Sequence, residues 1–115
     1  MAISEAFQAS VSVTAAEYFL ASASTTKTDQ TVDGIYQLWL DLSAMLAGDE
    51  YRIRVYERIS SAGTTRVAME WVVAGVQAEP MYVTPSLILL HGWEFSLQKL
   101  AGTDRTLEWS IRKVA

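Results

Sequence analysis

His91 is the only histidine in the chain, so any proton shuttle, nucleophilic triad or histidine-ligated metal would have to run through it. It stands in Leu-His-Gly-Trp (90–93). A triad needs an activated serine and an orienting acid beside the imidazole, and no Gly-x-Ser-x-Gly elbow occurs. A zinc site wants several imidazoles or thiolates, and there are no cysteines. The carboxylates Asp41, Asp49, Glu50 and Asp104 fall at expected strand ends or turns. No Asp-x-Asp-x-Asp-Gly loop supplies calcium spacing, so turn chemistry accounts for them. A paired-carboxylate glycosidase needs a substrate cleft, for which 115 residues leave little room. The expectation is a protein that is not an enzyme and uses no cofactor or metal.

Recognition chemistry has better candidates. Four tryptophans could stack on sugars, but Trp71, Trp93 and Trp109 alternate onto faces shared with Ile, Val, Phe and Leu. That assigns them to a core. Trp39 lies opposite the Leu38-Leu40-Leu42 face and shares its own face with Ile35. Ile35 and Trp39 are therefore candidates for contact with another chain. Arg52, Arg54 and Arg58 with Tyr56 form a polar strand face. It reads either as a solvated face with cross-strand pairs or as an arginine–aromatic surface for an acidic partner.

The elements that must carry these residues are strands. Tyr51, Ile53 and Val55 alternate with Arg52, Arg54 and Tyr56; after Ser-Ser-Ala-Gly-Thr (60–64), Val67, Met69, Trp71 and Val73 alternate with Ala68 and Glu70. A period of two means a strand with one buried face. Folding the hairpin so that Ile59 meets Thr65 sets Val55 opposite Met69, Ile53 opposite Trp71 and Arg54 opposite Glu70. Apolar pairing and charge pairing thus select the same register.

The rest of the chain repeats this pattern. Residues 7–13 and 18–21 read as strands, and 22–33 as a polar loop expected to be mobile. Gly34 opens a strand with Tyr36, Leu38, Leu40 and Leu42 on one face. Leu42, Met45 and Leu46 follow a helical spacing that Gly48 can end, which predicts one short helical turn. Strands follow at 81–84 and 86–90, broken by Pro85, which suits a sheet edge. Segments 93–98 and 107–112 alternate around Ala101-Gly102-Thr103-Asp104 and predict a last hairpin with Phe95 facing Trp109. The inference is a single all-β domain over 1–115, an antiparallel β-sandwich or jelly roll of seven to eight strands with one short helical turn.

Composition narrows the partners. Net charge is −4, and nine basic residues spread thinly give no nucleic-acid footprint. Met-Ala-Ile-Ser-Glu has neither the basic nor the apolar region of a signal peptide, and the run Leu87 to Leu90 is too short for a bilayer. Neither nucleic acid nor membrane is expected. Hydrophobic residues make up 50 % and charged residues 19 %, so some apolar surface is left over for a partner chain or a homo-oligomer.

Leu46-Ala-Gly-Asp-Glu-Tyr51-Arg-Ile-Arg-Val55 resembles the tyrosine corner of immunoglobulin-like and fibronectin type III sandwiches. That resemblance implies a Tyr51 hydroxyl bonded to backbone a few residues upstream. Its place in the chain departs from those families, because at least four strands follow it here. LDLSAMLAGDEYRIRVYERISSAGTTRV (40–67) and FSLQKLAGTDRTLEWSIRKV (95–114) resemble, in texture, small structural proteins of tailed-phage virions, above all capsid decoration (cement) proteins. The resemblance implies a virion protein made in the host cytoplasm. Its partners would be the major capsid protein or other virion subunits, and its action would be to bury surface between them. The alternative is a carbohydrate- or receptor-binding β-sandwich of a phage tail or baseplate.

Overall fold

The structure, a computed structural model, describes residues 2–114. These form nine strands: β1 (Ile3–Val13), β2 (Tyr18–Phe19), β3 (Gly34–Asp41), β4 (Glu50–Glu57), β5 (Arg66–Ala74), β6 (Met81–Val83), β7 (Leu87–Leu89), β8 (Glu94–Ala101) and β9 (Arg105–Val114). All pairs are antiparallel. One sheet runs β1-β9-β3, with β6 and β7 sharing the far edge of β3; the other runs β2-β8-β4-β5. The pairs nest: β4 with β5, β3 with β6 and β7, β2 with β8, and β1 with β9. A long folded-over ribbon rolled in this way is a jelly roll, the second of the two expected architectures.

The β4–β5 hairpin has the expected register, with Val55 opposite Met69, Ile53 opposite Trp71 and Arg54 opposite Glu70. A bulge after Val55 then shifts the ladder, so Glu57 meets Arg66 and Ile59 is left fully exposed. Alternation works because each strand turns one face inward. Tyr36, Leu38 and Leu40 of β3, Tyr51, Ile53 and Val55 of β4, and Leu107, Trp109 and Ile111 of β9 fill the space between the sheets. Trp93 sits at the centre of an aromatic group with Tyr36 at 4.3 Å, Phe95 at 5.9 Å and Phe7 at 6.3 Å.

Several expectations are corrected. The short helical turn is absent among the described residues. Residues 42–49 instead make two successive turns, closed by Met45 N–H donating to Leu42 O and Asp49 N–H to Leu46 O. Gly48 takes φ +90°, which ends the second turn and prevents helical continuation. The last hairpin is also absent. The 102–104 turn carries the chain from one sheet to the other, so β8 pairs β2 and β4 while β9 pairs β1 and β3. Local alternation could not distinguish a hairpin from a sheet switch, since both need only two amphipathic strands and a turn. Tyr51 does not bond upstream; its hydroxyl donates to Thr103 O across that switch at 2.5 Å.

The polar 22–33 segment is bonded to the rest of the fold through Ser22 to Glu94, Asp29 to Arg58 and Gln30 to the Trp93 backbone. The fully buried Glu94 carboxylate accepts from Ala21 N–H (3.0 Å), Ser22 N–H (2.8 Å), Ser22 Oγ–H (2.6 Å) and Phe95 N–H (2.8 Å). Burial pushes this carboxyl above its ordinary range against the pull of those donors. Pro85 breaks the strand as expected, and Thr84 substitutes for the lost ladder. Its hydroxyl accepts from Leu38 N–H at 3.0 Å and its own N–H donates to Leu38 O at 3.0 Å.

Candidate functional site

On β3 the outward residues are Ile35, Gln37, Trp39 and Asp41, and the pairing register extends each into a row across the sheet. Ile35 stands between Val114 of β9 and Ile88 of β7, and Val114 is in turn opposite Ile3 of β1. The result is a transverse stripe of four aliphatic side chains. Ile3, Ile35 and Ile88 are 72 %, 41 % and 83 % exposed. Gln37 stands beside Arg112, which faces Glu5. Trp39 lies between Ser110 and Val83, and Asp41 is opposite Met81.

Trp39 is half-buried and held in place. The Arg112 guanidinium covers its ring, with Cζ 4.3 Å from the centroid. Its indole N–H donates to Gln37 Oε1 at 3.0 Å, and Gln37 Nε2 donates to Thr84 O at 2.8 Å. Ser110 Oγ–H donates to Glu5 Oε2 at 2.5 Å. The Trp39–Arg112 pair lines both of two depressions. One, of about 340 Å³, is flanked by Glu5, Gln8, Asp41, Met81 and Glu108. The other, of about 240 Å³, is flanked by Ile3, Ile35, Ser86 and Val114. Hydrogen bonds from Ser43 hold the Asp41 carboxyl below its usual range.

The other sequence-derived candidates lie elsewhere. Arg52, Arg54 and Tyr56 occupy the outer face of the second sheet, and their groups are bonded within the chain save the buried Arg52 Nε, which has no hydrogen-bond partner among the described residues. Arg54 pairs with Glu70 at 2.6 Å and Glu17 at 3.8 Å, Arg52 hydrogen-bonds Gln98, and Tyr56 O–H donates to Glu17 at 2.6 Å. Arg58, past the end of β4, holds Asp29 at 2.5 Å and Thr65 Oγ at 3.0 Å. Burial opposes ionisation of Asp29, but bonds from Lys27, Arg58 and Thr65 prevail and bring its carboxyl down to about 2. The six candidates thus fall into three places: Ile35 and Trp39 on the outer face of the first sheet, Arg52, Arg54 and Tyr56 on that of the second, and Arg58 beyond the end of β4. His91 lies in a turn clasped by Glu57, whose carboxylate accepts from Leu90, His91 and Gly92 N–H. Among the described residues, no group of three His, Asp or Glu side chains is placed to hold a metal ion.

No protein-family model and no curated protein matches the chain. The fold is similar to one seen in a crystal structure of PirA. The TM-score is 0.51 and the identity 11 %, over 96 % of this chain and 94 % of that one. At that identity the likeness speaks for the jelly-roll architecture alone.

Ile3, Ile88, Met81, Glu5, Glu108 and Arg112 were not singled out by sequence reasoning. Ile88 sits inside the apolar run Leu87 to Leu90, where period two gives no hint which residue faces outward. Arg112 joins Trp39 only through the β3–β9 ladder, which spans most of the chain.

Proposed function

We propose that this protein is a non-enzymatic structural component of a tailed-phage virion, a capsid decoration protein that docks through the outer face of the β1-β9-β3 sheet. The observation that carries this reading is the exposed Ile3–Val114–Ile35–Ile88 stripe, continuous across four strands. A rigid sheet face that loses apolar area to water at a subunit joint lowers the free energy of the assembled shell. The stripe lies outside the core of the sandwich, and a row of exposed aliphatic side chains of this kind suits contact with a partner. The test is co-sedimentation with empty shells assembled from the major capsid protein of the same virion. The native chain should saturate them, and Ile35→Asp/Ile88→Asp should not, while keeping its thermal midpoint. Failure of the native chain to bind shells would end this reading.

A carbohydrate- or receptor-binding role on a tail or baseplate is the second reading. The polar depression beside Trp39 favours it, because an indole edge among hydrogen-bonding side chains suits a hydroxylated ligand. Glycan binding that Trp39→Ala abolishes would transfer the assignment to it.

A further inference from the structure

The outer face of the β1-β9-β3 sheet changes character along the strands. The aliphatic stripe lies at one end, and Glu5, Asp41 and Glu108 surround the depression toward the other. Among the described residues, these three carboxylates take part in none of the ion pairs. The opposite face contrasts with this, since its Glu17 and Glu70 each lie beside an arginine. Lys113 borders the aliphatic depression and lies over the Tyr36 ring, while Arg112 is the cation beside these carboxylates and is turned onto the Trp39 ring. Three carboxylates against one guanidinium leave a formal excess of two negative charges there.

We infer that this face docks an extended, basic and aliphatic segment of a partner protein. The inference rests on the docking reading above and adds the chemistry of the occupant. Aliphatic side chains of the segment lie on the Ile3–Val114–Ile35–Ile88 stripe, and a lysine or arginine enters the depression between Glu5, Asp41 and Glu108. Trp39 and Asp41 are four and six residues beyond Ile35 on β3, or roughly 13 and 20 Å at strand rise. The partner's basic residue therefore lies four to six extended positions from its aliphatic anchor. The long stem of lysine or arginine packs along Met81 and Trp39 while its head meets the carboxylates. Charge complementarity of this kind sets register and association rate.

A second copy of the chain fits poorly. Each copy carries −4 overall, and stacking the two faces in full overlap sets acid against acid. Turning one copy end for end sets the aliphatic stripe of each against the acidic depression of the other, which pairs neither charge with its opposite nor apolar area with apolar area.

The experiment uses the full chain and two eight-residue peptides. Both carry Leu and Val at positions 1 and 3; one has Lys at positions 5 and 7, the other Glu. Amide chemical-shift titrations are read on β1, β3 and β9 at low and high salt. The lysine peptide should bind at least tenfold tighter than the glutamate peptide, with shifts confined to the outer face. Its affinity should fall at high salt, and again about tenfold in Asp41→Asn/Glu108→Gln, whose positions are exposed and whose fold the spectrum reports. Equal binding of both peptides, or no response to the charge substitutions while Ile35→Asp/Ile88→Asp abolishes binding, would overturn the basic partner and leave the docking face standing. A concentration-dependent dimer lost in Ile88→Asp would overturn it in favour of a second copy. No outer-face shifts with either peptide would overturn it as well, and the shell co-sedimentation then decides separately whether the docking reading falls too.

Discussion

Arg54 Nε lies 2.6 Å from Glu70 Oε1, directly across the β4–β5 ladder. Both side chains are partly open to solvent, so the pair is of modest energy, about 0.5 kcal/mol. Single reversals, Arg54→Glu or Glu70→Arg, should each destabilise. The double reversal should recover part of the loss, limited by Glu17, which lies 3.8 Å from Arg54. Urea unfolding of the four species measures the coupling. Additive effects would show that the pair contributes nothing beyond its two side chains.

Trp93 and Trp71 should separate sharply on truncation. Trp93 is fully buried and its indole N–H donates to Val32 O at 3.0 Å. Trp93→Ala is expected to cost about 3–5 kcal/mol. Trp71 alternates inward on β5 as the sequence predicts, but β5 is a free edge and the ring stays half-exposed against Tyr82, 6.0 Å away. Trp71→Ala should cost only about 1–2 kcal/mol. Equal midpoint shifts for the two variants would contradict this ordering.

Acid should loosen the junction between the 46–49 and 102–105 turns. The Asp49 carboxylate accepts from Arg105 Nε at 2.8 Å and from Leu46 and Thr103 N–H at 2.8 and 3.0 Å. These bonds, Arg105 foremost, hold its carboxyl at about 2, below the usual 3.8. A depressed folded-state value means that stability is fully present above about pH 4 and is lost as pH falls through 2. Asp49→Asn should be less stable than the native chain at pH 7, with the gap closing toward pH 2. A gap independent of pH, in urea midpoints taken across that range, would refute the assignment.

Glu94 should act as the clasp of the 20–30 segment. Its carboxylate faces four donors and no acceptor, so the amide N–H₂ of Glu94→Gln would meet donor groups. The expected loss is about 1–3 kcal/mol. Hydrogen exchange at Ala21 and Ser22 should accelerate more than at Leu38, which is held by Thr84 instead. Uniform acceleration would make Glu94 a general core residue rather than a local clasp.

How much was legible in advance follows from distance along the chain. The sequence alone determined the alternating strands and the Val55–Met69 and Arg54–Glu70 register, because a period of two and a short turn are local properties, but on the edge strand β5 the alternating Val67 and Met69 stay exposed. It also placed Trp39 and Ile35 on one outward face, since residues four apart on a strand share a side. Tertiary structure decided the rest. The pairing of β1 with β9 and β9 with β3 sets Ile3, Val114, Ile35 and Ile88 in one row and lays Arg112 over Trp39. Those residues come from four strands distributed from one end of the chain to the other, and no local pattern encodes which strands become neighbours. The same holds for charge. Arg54 is matched by Glu17 and Glu70 while Glu5, Asp41 and Glu108 are left together, because long-range packing sets which charges meet.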